Sequence, residues 1–349
     1  MLKIDGIFKE AVSRGASDVH FVVGRKPIFR IDGTLTEYEK EDELSSKAAA
    51  EMIFSIMSDR QKSVYLNERE IDLSHEITDL CRFRINCHWE RNNPGMVARI
   101  ISQIIPTMEE LQMPKIVYDL LRMKQGLILV TGPTGCGKST SLAAMINMIA
   151  RERAAHIITL EDPIEFIYEN GITTKAIIKQ RQLGTDMLSF AQALKHVLRQ
   201  DPNVILVGEM RDLETIAATI TLAETGHLVL ATLHTYNAGQ TIDRIIDVFP
   251  PYQQSQVRLQ LSLFLKGIIS QQLLPKKGGG RIASREILIN TPAVSNLIRE
   301  NKIAQIRTTI QTSSEEGMVT MDQDIKRLFD HGIIDQETAK LYMSTPTVL

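Results

Sequence analysis

The chain contains a glycine-rich stretch at residues 132–139, Gly-Pro-Thr-Gly-Cys-Gly-Lys-Ser. This stretch is compatible with few folds of the residues on either side of it. The apolar run 127–130 comes directly before it, and the segment after it lacks glycine and proline and has helical spacing. Gly132, Gly135 and Gly137 let the backbone turn so that successive N–H groups point inward, and the positive end of the helix dipole adds to them. A strand, a glycine loop and a helix in this order predict a site for a chain of phosphates.

The two residues that end this loop carry the side chains that a nucleoside triphosphate requires. Lys138 supplies a positive charge for the outer phosphates, and the Ser139 hydroxyl is a ligand for the magnesium ion that accompanies them. We therefore expect ATP and Mg2+ as ligands. The residues expected to contact the nucleotide are Gly132, Pro133, Thr134, Gly135, Cys136, Gly137, Lys138, Ser139 and Thr140.

Length and charge place broad limits on the chain. Its 349 residues allow two or three domains, and 40 basic against 42 acidic residues give a formal net charge of −2. This balance creates no strong field for nucleic acid, so no nucleic-acid partner is expected. No apolar run reaches the roughly 20 residues that cross a bilayer, and the polar residues near Met1 do not fit a signal peptide. We expect a cytoplasmic protein that reaches a membrane through partners or a surface patch.

The three cysteines do not predict a metal site. Cys81 and Cys87 are spaced too widely for a zinc knuckle, and no second pair follows. Cys136 lies in the glycine loop, where a helix end could lower its pKa and make the thiol reactive. A small, tolerated side chain is the alternative interpretation, and the one that we favour.

The first 105 residues have the pattern of a small antiparallel α/β domain. Short segments of alternating apolar and polar residues indicate strands, and Asp32-Gly33 predicts a hairpin. The predicted helices are 4–14 and 47–57, and the predicted strands are 27–31, 71–77, 81–89 and 96–101.

From Gly126 onward, near-continuous apolar strands alternate with helices, which is typical of a parallel sheet buried on both faces. The predicted strands are 127–131, 156–160, 204–207 and 228–232, with a later one at 284–289. Pro106 and Pro114 bracket a linker. We predict a first domain over 1–105, an interdomain linker over 106–125, an ATPase core over 126–275 and a C-terminal, mainly helical subdomain over 276–349.

Acidic residues follow two of these predicted strands. Glu161 and Asp162 come after 156–160, and Glu209 follows 204–207 with Gly208 between them. Carboxyl ends of parallel strands meet at one edge of the sheet, where the acids would face the phosphates. We assign Glu161 as the base that orients and deprotonates water, and Glu209 to the magnesium side; the reverse assignment stays open. Phosphate-loop proteins usually have aspartate where Gly208 stands here.

Two histidines flank the strand over 228–233. His234, at its far end, is a candidate contact for the terminal phosphate, whereas His227 is more simply explained as a structural residue.

These segments resemble the secretion ATPase superfamily and, within it, the type IV pilus retraction ATPases. The resemblance begins at 16–20, Ala-Ser-Asp-Val-His, and reaches 293–300, Ala-Val-Ser-Asn-Leu-Ile-Arg-Glu, where Val294 and Ser295 replace the Ile and Arg of the retraction motif. Between these ends lie the four signature segments in family order. They are the phosphate loop 132–139, the acidic box 159–165, the Walker B-like segment 206–212 and the histidine box from Gly226-His227 to His234-Thr235.

The resemblance implies a homohexameric motor that hydrolyses ATP to power type IV pilus retraction and twitching motility. Each protomer would have a PAS-like α/β first domain and a RecA-like ATPase domain with C-terminal helices, with the nucleotide between the domains. The implied partners are an inner-membrane pilus platform protein, with which the ring would associate peripherally, and a second retraction ATPase. Arg84 and Arg99 match family arginines that approach the phosphates, since a guanidinium fork fits oxyanions. Arg211 is a further candidate at the subunit boundary.

Together these residues predict hydrolysis by positioning and electrostatic stabilisation. Magnesium, Lys138 and the arginines would stabilise the transferring phosphoryl group while Glu161 aims the attacking water. Phosphate release would then change the angle between the domains about the linker 106–125.

Four other functions compete with this interpretation. An accessory retraction ATPase is the nearest, because the motif at 293–300 is altered. Pilus-assembly and type II secretion ATPases typically carry an extra N-terminal module, and many carry a tetracysteine insertion, neither of which is visible here. A nucleic-acid translocase would be expected to have a basic groove with aromatic residues. A nucleotide-gated scaffold without turnover is disfavoured by the full set of acids.

Overall fold

The computed structural model describes residues 3–31, 33–77, 80–101, 105–168 and 174–344. The helices are α1 (Lys3–Ser13), α2 (Ser46–Ser55), α3 (Asp59–Glu68), α4 (Lys115–Leu121), α5 (Lys138–Glu152), α6 (Phe190–Val197), α7 (Leu213–Glu224), α8 (Ala238–Asp247), α9 (Pro251–Phe264), α10 (Pro292–Arg299), α11 (Ile306–Thr312), α12 (Met321–Asp330) and α13 (Gln336–Tyr342). The strands are β1 (Ala16–Phe21), β2 (Ile28–Ile31), β3 (Thr34–Glu37), β4 (Glu70–Ile77), β5 (Cys81–Glu90), β6 (Asn93–Ile101), β7 (Gly126–Thr131), β8 (His156–Glu161), β9 (Ile177–Gln182), β10 (Val204–Val207), β11 (Leu228–Leu233), β12 (Leu265–Pro275) and β13 (Arg281–Ile289). Within the described ranges, no helix combines the length and the hydropathy that a bilayer crossing requires.

The chain forms two compact units, residues 1–104 with 165–167, and residues 105–164 with 168–349. The first unit contains a six-stranded sheet in the order β3-β2-β1-β6-β5-β4, in which every neighbouring pair is antiparallel. Alternation decides its faces: Phe83 and Ile85 of β5 are buried in a core shared with α1, α2 and α3, and Arg84 between them is exposed. The small antiparallel α/β domain expected from the sequence is confirmed.

The hairpin predicted at Asp32-Gly33 falls partly on Asp32, which lies outside the described residues. The flanking strands β2 and β3 pair with each other, with Ile31 opposite Thr34.

The second unit contains a seven-stranded sheet in the order β13-β12-β7-β11-β10-β8-β9. Neighbouring strands from β12 to β9 are parallel, and β13 pairs antiparallel with β12. Every residue of β7, β10 and β11 is buried, which explains their near-continuous apolar sequences. The predicted core of parallel strands is therefore confirmed.

The segment 106–125, predicted as a linker, lies in the second unit and contains α4. The Arg285 side chain of β13 is 1% exposed and donates to the carbonyl oxygens of Leu111 at 3.0 Å and Gln112 at 3.4 Å. Burial lowers the pKa of Arg285 to about 10, so the guanidinium stays charged at neutral pH. This part of the segment is anchored to the sheet. The pairing of β12 with β13 also spans the predicted boundary at 275, and the division at 105, 125 and 275 stays a prediction.

Candidate functional site

The phosphate loop joins the buried strand β7 to α5, as predicted. Gly137 caps the N-terminus of α5 with φ 87°, and Gly132 has φ 141°. A Cβ atom at Gly132 would lie 2.2 Å from the Gln271 carbonyl oxygen and 2.7 Å from Cys136 Sγ. Only glycine fits at this position, because both its backbone conformation and its close approach to β12 exclude a side chain. The loop thus has the backbone shape from which N–H groups can bind phosphate.

Lys138 lies in the first turn of α5, and its ammonium group turns back toward the loop. Its Nζ atom donates to the carbonyl oxygens of Gly132 at 2.7 Å and Pro133 at 3.1 Å. The Nδ1 atom of His234 lies 3.5 Å from the same Nζ. The structure therefore brings the predicted lysine and the predicted histidine together, although they are 96 positions apart in the chain.

His234 and Arg211 both contact the carboxylate of Glu209. His234 Nε2 lies 3.0 Å from Glu209 Oε1, and a guanidinium nitrogen of Arg211 lies 2.7 Å from Oε2. A neutral imidazole that accepts from Lys138 at Nδ1 and donates to Glu209 at Nε2 satisfies every one of these contacts. Burial raises the pKa of Glu209, but the hydrogen bond from Arg211 and the contact with His234 outweigh it, so the pKa lies below its usual range. Glu209 is therefore an ionised carboxylate at neutral pH.

Glu161 ends β8 and has a different environment. Its Oε1 atom accepts from Thr159 Oγ1 at 2.6 Å and from Gln180 Nε2 at 3.2 Å. Thr159 is fully buried, and Gln180 is held in β9, which pairs with β8. Two neutral donors on the sheet therefore fix the orientation of this carboxylate.

Gly208 explains the departure from the usual Walker B pattern. A Cβ atom at this position would lie 2.9 Å from the Leu160 carbonyl oxygen and 3.2 Å from Glu161 Cα, and the Gly208 N–H donates to that carbonyl at 2.7 Å. The Thr232 hydroxyl donates to the Gly208 carbonyl from the other side. The missing side chain lets β8, β10 and β11 end close together, so that Glu161, Glu209 and His234 follow neighbouring strands.

The chemistry of the donor set fits magnesium. Ser139 and Glu209 offer a hydroxyl and an ionised carboxylate, and Mg2+ prefers oxygen ligands, commonly one or two from protein together with phosphate oxygens and water. Across the part of the chain that the structure describes, no cluster of three or more His, Cys, Asp and Glu side chains could hold a metal ion by itself.

His227 and the three cysteines lie in well-packed surroundings. His227 precedes β11, at the sheet edge opposite the loop, and its Nδ1 atom lies 3.1 Å from the Leu222 carbonyl oxygen. Cys136 is buried, and burial raises the pKa of its thiol, which supports the interpretation as a small packed side chain. Cys81 and Cys87 are buried in β5, where burial raises their pKa values to about 11 and about 12.

Arg84 and Arg99 lie in the first unit, directly opposite each other on β5 and β6. Both side chains are on the exposed face of the sheet, and Arg99 Nε donates to Asp18 Oδ1 at 3.0 Å. Like charges opposite each other in a sheet are unfavourable, and Asp18 offsets part of that cost. The pair has the chemistry to bind an oxyanion, and its role toward phosphate stays a prediction.

Three polar residues at this site were missed by the sequence reasoning. Thr159 and Gln180 orient Glu161, and Gln271 supports the phosphate loop. The available signal was a polar residue inside an otherwise apolar strand, as with Thr159 in His-Ile-Ile-Thr-Leu and Gln271 after Ile-Ile-Ser.

Comparison with known proteins shows which family the chain belongs to. The family model for type II/IV secretion system proteins matches residues 2–333. The type IV pilus retraction ATPase PilT of Pseudomonas aeruginosa is 45% identical over 330 residues, which cover 95% of each chain. The type IV pilus ATPase PilU of the same organism is 40% identical over 97% of this chain and 88% of its own.

A solved structure agrees with the sequence comparison. The crystal structure of the pilus retraction motor PilT with bound ADP superposes with a TM-score of 0.92 at 44% identity, covering 100% of this chain and 99% of the other. The predicted α/β fold class, a small first domain followed by a RecA-like ATPase domain with C-terminal helices, is confirmed by this match.

Proposed function

Because the chain belongs to the type II/IV secretion system protein family, we propose that it is an ATP-hydrolysing motor that powers retraction of a type IV pilus. The observation that carries the proposal is the glycine loop whose lysine lies against His234, which in turn contacts Glu209, in a chain that matches PilT over 95% of both lengths. Each part serves phosphoryl transfer, which depends on positioned charges around the terminal phosphate.

The two carboxylates have separate roles in this proposal. The Glu161 carboxylate is oriented by hydrogen bonds from Thr159 and Gln180, and we assign it to orient a water molecule and take its proton. Glu209 is paired with Arg211 and His234, which keep its carboxylate ionised, and an ionised carboxylate is the form that binds a metal ion, so we assign it to the metal side. Ser139 and Glu209 would hold magnesium, which supplies neutralisation of phosphate charge when bound.

Cationic side chains supply the remaining stabilisation. Lys138 exchanges its contacts with the Gly132 and Pro133 carbonyl oxygens for the outer phosphates when ATP binds. Arg84 and Arg99 stabilise the transferring phosphoryl group, a role supported by their family positions and by their exposed, paired placement.

The assembly is proposed from the family resemblance. We infer a homohexamer that works at the cytoplasmic side of the inner membrane through a pilus platform protein, alongside a second retraction ATPase. The PilU-like accessory role is the second candidate, because the 40% identity to PilU also covers nearly the whole chain and the motif at 293–300 departs from the retraction pattern.

Hydrolysis is tested on the purified chain by steady-state ATPase assays with magnesium, alone and with added DNA. We expect turnover in the wild type, loss of turnover in Lys138→Ala, and no stimulation by DNA. Absence of ATP binding and turnover in the wild type would refute an ATPase, whereas stimulation by DNA would favour a translocase.

The direction of the motor is tested in cells. A deletion strain with abundant but immobile filaments supports retraction, and bald cells would indicate assembly instead. A strain that retains this chain as its sole retraction ATPase distinguishes the two candidates, because an accessory protein would not restore surface movement by itself.

A further inference from the structure

Gln271 lies in β12 beside the phosphate loop and is 1% exposed. Its Nε2 atom donates to the Cys136 carbonyl oxygen at 2.8 Å, and its Oε1 atom accepts from Ser141 Oγ at 2.9 Å. Cys136 belongs to the loop, and Ser141 lies at the start of α5. One buried amide therefore joins the loop to the helix that follows it.

Two glycines of the loop, Gly132 and Gly137, lie close to Gln271. A Cβ at Gly132 would meet the Gln271 carbonyl oxygen at 2.2 Å, and a Cβ at Gly137 would lie 3.4 Å from Gln271 Nε2. The position of Gln271 is set by the sheet, since the preceding residue, Ser270, pairs with Thr131 at the end of β7. Through its hydrogen bond to Cys136, Gln271 thus ties the loop backbone to a strand of the central sheet.

We propose that Gln271 is a positioning residue for ATP, which holds the loop in its phosphate-binding shape before the nucleotide arrives. This inference rests on the proposed ATPase function. The amide group suits this role because it donates to the Cys136 carbonyl and accepts from the Ser141 hydroxyl at the same time. A buried carbonyl left without a hydrogen-bond donor is unfavourable. Without Gln271 the loop populates other shapes, and the apparent affinity for nucleotide falls in proportion to the competent fraction.

The test is Gln271→Met, which keeps the volume of the side chain and removes both hydrogen bonds. We expect KM for ATP and Kd for a fluorescent ADP to rise about tenfold, which corresponds to about 1.4 kcal/mol. We expect kcat to stay within about twofold, because bound phosphates restore the loop once the site is occupied. A purely structural role would reduce the active fraction, and so lower kcat at unchanged KM.

Ser270→Ala is the matched control. It removes a buried hydrogen bond of 2.8 Å between Ser270 and Thr131, which also joins β12 to β7, but it leaves the contacts of Gln271 in place. It should lower the melting temperature and leave KM unchanged. Ser141→Ala should raise KM about threefold and add little in the Gln271→Met background, because both changes break the same contact.

The outcomes separate the two proposals. A wild type that neither binds nor hydrolyses ATP overturns the proposed function. A wild type that turns over ATP while Gln271→Met keeps its KM and Kd overturns the role of Gln271. If Gln271→Met does not fold, an unchanged KM and Kd in Ser141→Ala overturn it instead.

Discussion

Glu161 and Glu209 are the same residue type at equivalent strand ends, yet their neighbours give them different properties. The sequence predicted both acids at the phosphate edge and favoured Glu161 as the base and Glu209 for the magnesium side, with the reverse assignment left open. The structure surrounds Glu209 with Arg211 and His234, whereas the Glu161 carboxylate accepts hydrogen bonds from the neutral groups of Thr159 and Gln180. A carboxylate paired with a guanidinium, as Glu209 is with Arg211, is a weaker proton acceptor, which favours Glu161 as the base.

Glu161→Gln tests that assignment directly. The amide keeps the size of the side chain but cannot accept a proton, so kcat should fall by about 10²-fold to 10⁴-fold, while ATP binding is retained. Single-turnover phosphate release and nucleotide titration provide the measurements. Glu214→Gln is the control, because Glu214 is an exposed residue of α7 whose ion pair with Lys195 is 3.9 Å long. Phosphate release at the wild-type rate from Glu161→Gln would contradict the assignment.

The lowered pKa of Glu209 predicts how the free energy of unfolding depends on pH. The ordinary pKa of glutamate is 4.5, and in the fold the pKa of Glu209 is lower, so the unfolded chain binds the proton at a higher pH than the folded chain does. The contribution of Glu209 is therefore present above pH 4.5 and lost as the pH falls through the lower folded-state value.

The comparison is urea unfolding of the wild type and Glu209→Gln at neutral and acidic pH. Near pH 7 the wild type should exceed the variant by about 1 kcal/mol in the free energy of unfolding, and this difference should shrink on acidification to about pH 3. A difference that grows as the pH falls would show that the carboxylate is not stabilised in its ionised form.

The arrangement of the strands at the site depends on one close approach, that of the end of β10 to the end of β8. Gly208→Ala would place a methyl group 2.9 Å from the Leu160 carbonyl oxygen, which is a backbone atom that cannot rotate away. We expect a loss of stability of about 1–3 kcal/mol together with reduced turnover, since Glu209 and Glu161 both shift. Thermal unfolding and ATPase rates measure these effects.

Gly239→Ala is the control for this exchange. Gly239 lies in α8, where the new Cβ would make only ordinary contacts, the nearest at 3.6 Å. Its stability should stay within about 0.5 kcal/mol of the wild type or rise slightly, because alanine is the better helix former. Equal stability of the two variants would contradict the packing argument.

For the whole molecule, the proposed homohexamer can be tested by mixing wild-type and variant subunits, which measures the coupling between them. Lys138→Ala subunits should bind nucleotide poorly but still assemble. If neighbouring subunits must act in order, activity should fall more steeply than the fraction of wild-type subunits as Lys138→Ala is added. A linear decline would indicate independent subunits. Arg244→Ala, on an exposed face of α8, serves as the control for dilution with an altered subunit.

Local sequence was sufficient to predict the phosphate loop, the main parallel strands and the family. Glycine spacing and near-continuous apolar runs reflect short-range backbone geometry, so neighbouring residues are enough to predict it. In the segment 106–125, the prolines predicted a linker, and only the fold could show that the distant Arg285 donates a hydrogen bond to the Leu111 carbonyl oxygen within it.

The identities of the loop, the two acids and the histidine were determined by sequence alone. Tertiary structure decided their surroundings, on which the proposed roles rest, because a carboxylate takes its proton affinity from the groups around it, and those groups come from strands far apart in the chain. Gln271 is the clearest case: it is 135 residues from Cys136, whose carbonyl it holds, and only the pairing of β12 with β7 brings them together.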